Sequence, residues 1–157
     1  MQKVTPCLWF DGNDAEAMDF YTSIFKNAKV TEKMHTGKAG PGPDGTLLVA
    51  RFELEGQAFM VLNGGPNFTF NEAVSFYVNC GEQAEVDYFW EQLTADGGEG
   101  SMCGWLKDKF ALSWQIVPEI LEELLWHTDA GTSGKVMQAL MQMRKINIAA
   151  LKEAAYL

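Results

Sequence analysis

Gly12–Ile24 reads GNDAEAMDFYTSI and Gly81–Leu93 reads GEQAEVDYFWEQL. Gly, the pair Ala-Glu, Phe and a second aromatic recur at the same spacing, roughly seventy residues apart. Each copy follows an extended run, Val4–Phe10 before the first and Val74–Asn79 before the second. A strand, a Gly turn and an amphipathic helix therefore occur twice, as expected of one module duplicated within a single chain.

Outward from the first copy, Val4–Phe10 is β-rich and ends on the turn signal Asp11-Gly12. Asn13 or Asp14 is placed to cap the helix, in which Ala17, Phe20, Tyr21 and Ile24 fall at helical spacing and turn Glu16, Asp19 and Ser23 outward. Val30–Met34 reads as a short strand. Gly37–Gly45, GKAGPGPDG, has four Gly and two Pro in nine residues and must be loop. Leu47–Leu54 and Ala58–Asn63 form a predicted hairpin around Glu55-Gly56-Gln57.

The second copy repeats the order. A strand at Val74–Asn79, a helix at Ala84–Thr94 and a turn at Asp96-Gly97-Gly98 lead into three extended stretches at Glu99–Cys103, Trp105–Lys109 and Leu112–Val117, the last stopped by Pro118. Beyond it the pattern turns helical: Ile120–Trp126, Ser133–Met143 opened by Thr132 or Ser133, and Ile148–Tyr156 capped by Asn147. The prediction is an α+β chain, one domain over 1–157. Tandem βαβββ modules at 1–66 and 67–118 form a cupped mixed sheet, and 119–157 is a helical extension.

At 157 residues and 47% hydrophobic, the chain can bury one substantial core. Twenty-one acidic against twelve basic residues leave a formal charge of -9, which repels nucleic-acid phosphates and anionic lipid. The N-terminal MQKVTPCLWF lacks the apolar stretch of a signal peptide, and no run of about 18 apolar residues follows. Cys7, Cys80 and Cys103 show no paired spacing, so no disulfide framework is expected. The chain is expected to be cytoplasmic, with neither nucleic acid nor membrane as partner.

LNGGPNFTFNEAVSFYVNC at Leu62–Cys80 and CGWLKDKFALSWQIVP at Cys103–Pro118 resemble the signature stretches of the PhnB-like family, and PGPDG at Pro41–Gly45 and VMQALMQMRKINIAAL at Val136–Leu151 are similar to it too. That family is also known by the name 3-demethylubiquinone-9 3-methyltransferase domain. Its paired modules resemble the vicinal oxygen chelate superfamily of glyoxalases, fosfomycin-resistance proteins and extradiol dioxygenases. One departure is Ala111, where the family pattern has Gly; Ala resists positive φ, so a slightly different bend is expected there. The resemblance implies a homodimer, with the tail helices against a neighbouring subunit.

In metal-dependent relatives the resemblance implies His near the start of each module's first strand and Glu in the last. Aligned through the repeat, those positions fall near Thr5, Val74, Val61 and Gln115, none a good ligand for a site that needs about three His, Glu, Asp or Cys donors. His35 lies at the edge of the Gly-Pro loop and His127 in the tail. A methyl-transfer Rossmann site needs a Gly-rich turn opening a helix, whereas Gly64-Gly65-Pro66 leads into an extended Asn67–Phe70.

Alternation places Thr5, Cys7 and Trp9 on one strand face, and the repeat assigns that face to the cup. By the same parity Val61 and Asn63 join from the first module, and Phe76, Ser113 and Gln115 from the second, with Trp114 pointing to the helix layer. Cys103 and Trp105, near Lys107, Asp108 and Lys109, complete the candidate ligand-binding set. For Cys7 and Cys103 the competing reading is packing; for Gln115 it is a buried amide satisfied within the protein. The Gly37–Gly45 loop is long enough for a lid or a passive linker. The expected function is binding of a small organic molecule in the cup, with no cofactor and no catalytic metal. The alternatives are a metal-dependent glyoxalase or dioxygenase-type enzyme and, third, a methyltransferase.

Overall fold

The computed structural model describes residues 2–157. Its contacts divide the chain into two compact units, one up to Phe70 and one from Asn71 to Leu157.

The first unit runs β1 (Cys7–Phe10), α1 (Asp14–Ile24), β2 (Ala28–His35), β3 (Leu47–Leu54) and β4 (Gln57–Asn63). Its four-stranded sheet has the order β1-β4-β3-β2, with β1 parallel to β4 and the other pairs antiparallel. Leu8, Phe10, Ala50, Phe52, Leu54, Phe59 and Val61 are all buried. Register places them on one face, where Ala17, Met18, Tyr21 and Ile24 of α1 close the core and the Tyr21 ring stacks on Phe52. Each Leu, Ile, Val, Phe or Met among them, fully buried, contributes about 1.5–3 kcal/mol. Asn13 is the N-cap of α1, without a side-chain cap bond. Strand β2 is longer at both ends than Val30–Met34, since it pairs along the whole of β3. The loop after it is tied at its neck: Thr36 N–H donates to Thr46 O and Gly45 N–H to Thr36 O, both at 2.7 Å. Phe68 and Phe70 belong to this unit because their rings pack edge-on against Trp9 and Phe10.

The second unit repeats the plan with β5 (Ser75–Cys80), α2 (Gln83–Thr94), β6 (Glu99–Gly100), β7 (Trp105–Lys107) and β8 (Ser113–Pro118), in the order β5-β8-β7-β6. The chain is therefore α+β with tandem βαβββ modules, as the repeat predicts. Val86, Phe89 and Leu93 of α2 are buried, as are Leu106, Trp114 and Ile116 on the same-facing positions of the sheet. The strands β6 and β7 are shorter than Glu99–Cys103 and Trp105–Lys109. Two tight turns cut them. Cys103 and Gly104 both take positive φ (60° and 83°), and the chain leaves β7 at Asp108.

Three helices follow: α3 (Glu119–Trp126), α4 (Ala130–Leu140) and α5 (Ile148–Tyr156). Helix α4 starts before Thr132 because Asp129 is its cap, accepting from Thr132 N–H at 3.0 Å, and it ends at Leu140 rather than Met143. Asn147 caps α5 as the sequence indicates, accepting from Ala150 N–H at 2.9 Å. The buried cluster Val117, Leu121, Leu124, Val136, Leu140, Ile146, Leu151 and Ala155 ties the helices to the end of β8, with Cys103 and Met143 packed against it. Gln83 clasps the connection, donating to Ile146 O (3.1 Å) and accepting from Ile148 N–H (2.8 Å). Met137 and Met141 stay exposed. Among the described residues, no helix is long and apolar enough to cross a membrane.

Ala111 sits in the turn between β7 and β8 at φ +67°, so the bend is retained with an alanine in the left-handed region. That conformation costs an L-residue about 1–2 kcal/mol, partly offset in alanine's favour by the lower entropy of its unfolded chain. Ala111→Gly is expected to raise stability by about 0.5–1 kcal/mol, read as a higher urea midpoint at unchanged m-value.

Candidate functional site

Strand pairing in the second unit lines up side chains in rows. Glu99, Lys107, Ser113 and Ser75 are consecutive partners across β6, β7, β8 and β5, and Trp105, Gln115 and Tyr77 form the next row on the same face. This face is opposite to that of Leu106, Trp114 and Ile116, because neighbours along a strand alternate. A cleft of about 400 Å³ opens there, lined by Glu72, Glu99, Gly100, Ser101, Trp105, Leu106, Lys107 and Ser113.

The most telling atom in it is Ser113 Oγ. Ser113 is 1% exposed, and its hydroxyl has no hydrogen-bond partner among the described residues. A buried hydroxyl without a partner costs about 1–3 kcal/mol, so an outside group that bonds to it is favoured. At the rim, Lys107 Nζ lies 2.8 Å from Glu72 Oε1. The bond and charge of Lys107 hold the Glu72 carboxyl below its ordinary range, and Glu72 in turn raises Lys107, with a smaller contribution from Glu99. Gln115 Nε2 donates to Ser75 Oγ at 2.9 Å, which turns the amide oxygen away from Ser75.

Tyr77 donates its hydroxyl to Glu122 Oε1 of α3 at 3.0 Å. Burial and then the Glu122 bond and charge push its pKa up to about 12. An unfolded tyrosine loses its proton near 10, so between about pH 10 and 12 the folded chain holds a proton that the unfolded chain has released, and stability falls as pH rises. Tyr77→Phe is expected to remove a late-ionising step from the alkaline titration followed by absorbance at 295 nm.

The turn from Asp108 to Leu112 is organised by one side chain. Asp108, 3% exposed, accepts from Phe110 N–H (2.8 Å), Leu112 N–H (3.1 Å) and the Trp114 indole N–H (2.9 Å). It thereby delivers Lys107 and Ser113 from either side of the turn to the same row.

Of the residues singled out in the sequence, Trp105, Ser113 and Gln115 share this face. Phe76 does not: it pairs with Trp114, and the two rings stand 5.5 Å apart on the face of Leu106 and Ile116. Tyr77 takes the place assigned to it. In the first unit Cys7 and Trp9 share a face, with half-buried Thr5 just before β1. Val61 and Asn63 lie on the opposite one, beside Leu8 and Phe10, because β1 pairs with β4 in the register Cys7↔Met60. Val61 is fully buried in the core, and Asn63 Oδ1 accepts from Gly12 N–H at 3.0 Å. Trp9 is held by the Gly64-Gly65 segment. Its Nε1 donates to Gly65 O at 2.9 Å, and a Cβ on Gly64 would come within 2.3 Å of the ring. The GGP motif therefore packs an indole and starts no helix.

Cys103 turns to the tail, its N–H donating to Met143 O (2.8 Å) and its thiol directed at Leu140 O (3.6 Å). Burial, then Glu85, push the Cys80 thiol up to about 12. No group of three or more His, Cys, Asp or Glu able to hold a metal occurs among the described residues. His35 ends edge strand β2, and His127 follows α3 at the surface. Positions near Thr5, Val61, Val74 and Gln115 supply a hydroxyl, two hydrocarbons and a neutral amide, which do not fit a divalent ion. Lys107, Glu99, Glu72, Ser75 and Tyr77 were not among the candidates. Alternation could have found Lys107, two residues from Trp105; the others depend on register.

The model of the 3-demethylubiquinone-9 3-methyltransferase family matches residues 2–117. The PhnB protein of Bacillus cereus, which carries the same methyltransferase name, is 38% identical, with a TM-score of 0.69 over 74% of this chain and 99% of its own. A protein from Pseudomonas aeruginosa shares the fold at 22% identity and a TM-score of 0.62, over 76% of this chain and 98% of its own. The fosfomycin resistance protein FosX from Listeria monocytogenes, in complex with Mn(II) and sulfate, does so at 16% identity and a TM-score of 0.56, over 81% and 98%. No curated protein matches the chain. With the family model spanning both modules and the Bacillus cereus PhnB protein matched over nearly its whole length, this chain belongs to the PhnB-like family, on the vicinal oxygen chelate fold that it shares with FosX.

Proposed function

We propose that the protein binds a small organic molecule without a catalytic metal, and that the polar face of the second sheet holds it. The observation that carries this reading is the buried Ser113 hydroxyl, without a partner among the described residues, in the cleft beside Trp105 and Lys107. Trp105 and Leu106 give the cleft its apolar surface, among fixed polar groups that can orient a ligand. Thr5, Cys7 and Trp9, which lie on one side of the first module's β1, are proposed as ligand contacts of that module taken by itself. A homodimer is proposed as well, with the exposed Met137 and Met141 as its apolar contribution. The metal-free part of the reading is supported by the residue types at Thr5, Val74 and Gln115, none of them an imidazole, carboxylate or thiolate.

Two measurements test it. Metal analysis of untagged protein purified without chelator is expected to find well under one ion per chain; one zinc, manganese, iron or nickel each would overturn the metal-free reading. Incubation with metabolite extract, followed by mass spectrometry of what the protein retains, is expected to yield a ligand that Ser113→Ala loses about tenfold in affinity. The same substitution is expected to leave the melting temperature unchanged or slightly raised, since it deletes an unsatisfied polar atom. A large fall would make Ser113 structural and sink the site.

A further inference from the structure

We infer that this cleft selects a small organic ammonium ion, its N–H groups directed at Glu99, Glu72 and Ser113 and its hydrocarbon part laid on Trp105. The inference rests on the small-molecule reading above and names the class of ligand.

The groups lining the cleft are unequal in kind. Two carboxylates, Glu72 and Glu99, face one ammonium, that of Lys107. Glu72 already holds Lys107 at 2.8 Å, and Glu99 is its neighbour in the sheet row. The cation is thus engaged within the protein. An incoming anion would meet surplus negative charge and would have to displace Glu72 from Lys107. An incoming ammonium meets a surplus of acceptors. It brings three donors and no acceptor, which suits two carboxylates and a hydroxyl whose oxygen has no bond from the described residues. Gln115, beside Trp105 in the next row, adds to the same bias, because Ser75 takes its N–H and the amide oxygen is left. An indole face within reach of a cation attracts it through the ring quadrupole. Neutral donors such as alcohols would use Ser113 but gain nothing from the charges.

The Lys107–Glu72 pair has a second consequence under this assignment. Lys107 stands as an internal competitor for the carboxylate that the ligand amine needs, so removing it should tighten binding of an amine. For an anionic ligand the sign is reversed.

The experiment uses the full chain labelled with nitrogen-15 and three probes of one shape: n-butylammonium, butyrate and n-butanol. The Trp105 indole N–H resonance, assigned by its loss in Trp105→Phe, reports binding. Saturable shifts are expected with n-butylammonium alone. Glu99→Gln and Glu72→Gln are each expected to weaken them about fivefold, Ser113→Ala about threefold, and Lys107→Gln to tighten them about fivefold, effects that shrink with added salt. Saturation by butyrate with loss in Lys107→Gln, or equal saturation by butanol, would overturn the ammonium class while leaving a small-molecule site in place. Failure of n-butylammonium to saturate the resonance overturns the ammonium assignment; the retained-metabolite experiment then decides the wider reading by itself.

Discussion

Asp108→Ala is expected to lower the stability of the protein by about 3 kcal/mol, and its melting temperature by about 10 °C. The carboxylate accepts from the N–H groups of Phe110 and Leu112 and from the Trp114 indole, and two of these bonds are buried. Alanine supplies no acceptor for any of the three. Each buried donor left unsatisfied costs about 1–3 kcal/mol, and charge-assisted bonds lie at the strong end. Asp108→Asn is expected to lose about half as much, because its amide oxygen still accepts from the two backbone groups while its NH2 meets the indole N–H donor to donor. Urea unfolding followed by tryptophan fluorescence reads both. An unchanged midpoint in Asp108→Ala would mean that the turn is held by its backbone bonds, Asp108 N–H to Leu112 O and Ala111 N–H to Asp108 O, each at 2.9 Å. Binding at the cleft should fall with stability here, since the turn sets Lys107 and Ser113 in one row.

Gly104→Ala is expected to be comparably severe, at about 3 kcal/mol or more, through sterics rather than lost bonds. At φ +83° a side chain is strained before any contact is counted. A Cβ there would also sit 2.8 Å from Ile116 O and 2.8 Å from Ile146 Cδ1. The backbone oxygen has little freedom to retreat, because Ile116 N–H is itself bonded to Gly104 O at 2.8 Å. Gly104 N–H donates to Arg144 O, and the Arg144 guanidinium donates to Gly100 O, so the turn is also where the helical tail is fastened. Gly97→Ala is the control. Its φ is +110° with nothing within 4 Å of the added atom, so it should show the backbone strain alone. Equal losses in the two variants would remove close packing from the account.

Much of this was open to reading without coordinates. The two Gly-x-x-Ala-Glu copies and the extended runs before them state a duplicated strand–turn–helix, and helical spacing at Ala17, Phe20, Tyr21 and Ile24 identifies a helix with a buried face. Asn147 was legible as a cap because its side chain bonds within its own turn. Asp129 is hard to read as a cap because Gly131 and Gly134 weaken the helical pattern that follows it.

The site divides along the same line. Alternation along one strand is local geometry, so the sequence by itself determined that Ser113 and Gln115 share a face, that Trp114 takes the other, and that Cys7 goes with Trp9. Which residue of a neighbouring strand joins each face depends on register, and register depends on how the core packs as a whole. A shift of one residue exchanges the faces, which is why Val61 and Asn63 belong with Phe10, and why Tyr77 rather than Phe76 stands beside Gln115. Only the tertiary structure decided that Glu99, Lys107, Ser113 and Ser75 form one row, and that the Ser113 hydroxyl is buried there without a partner among the described residues. Those facts are properties of pairings between residues distant in the chain, and no single segment contains them.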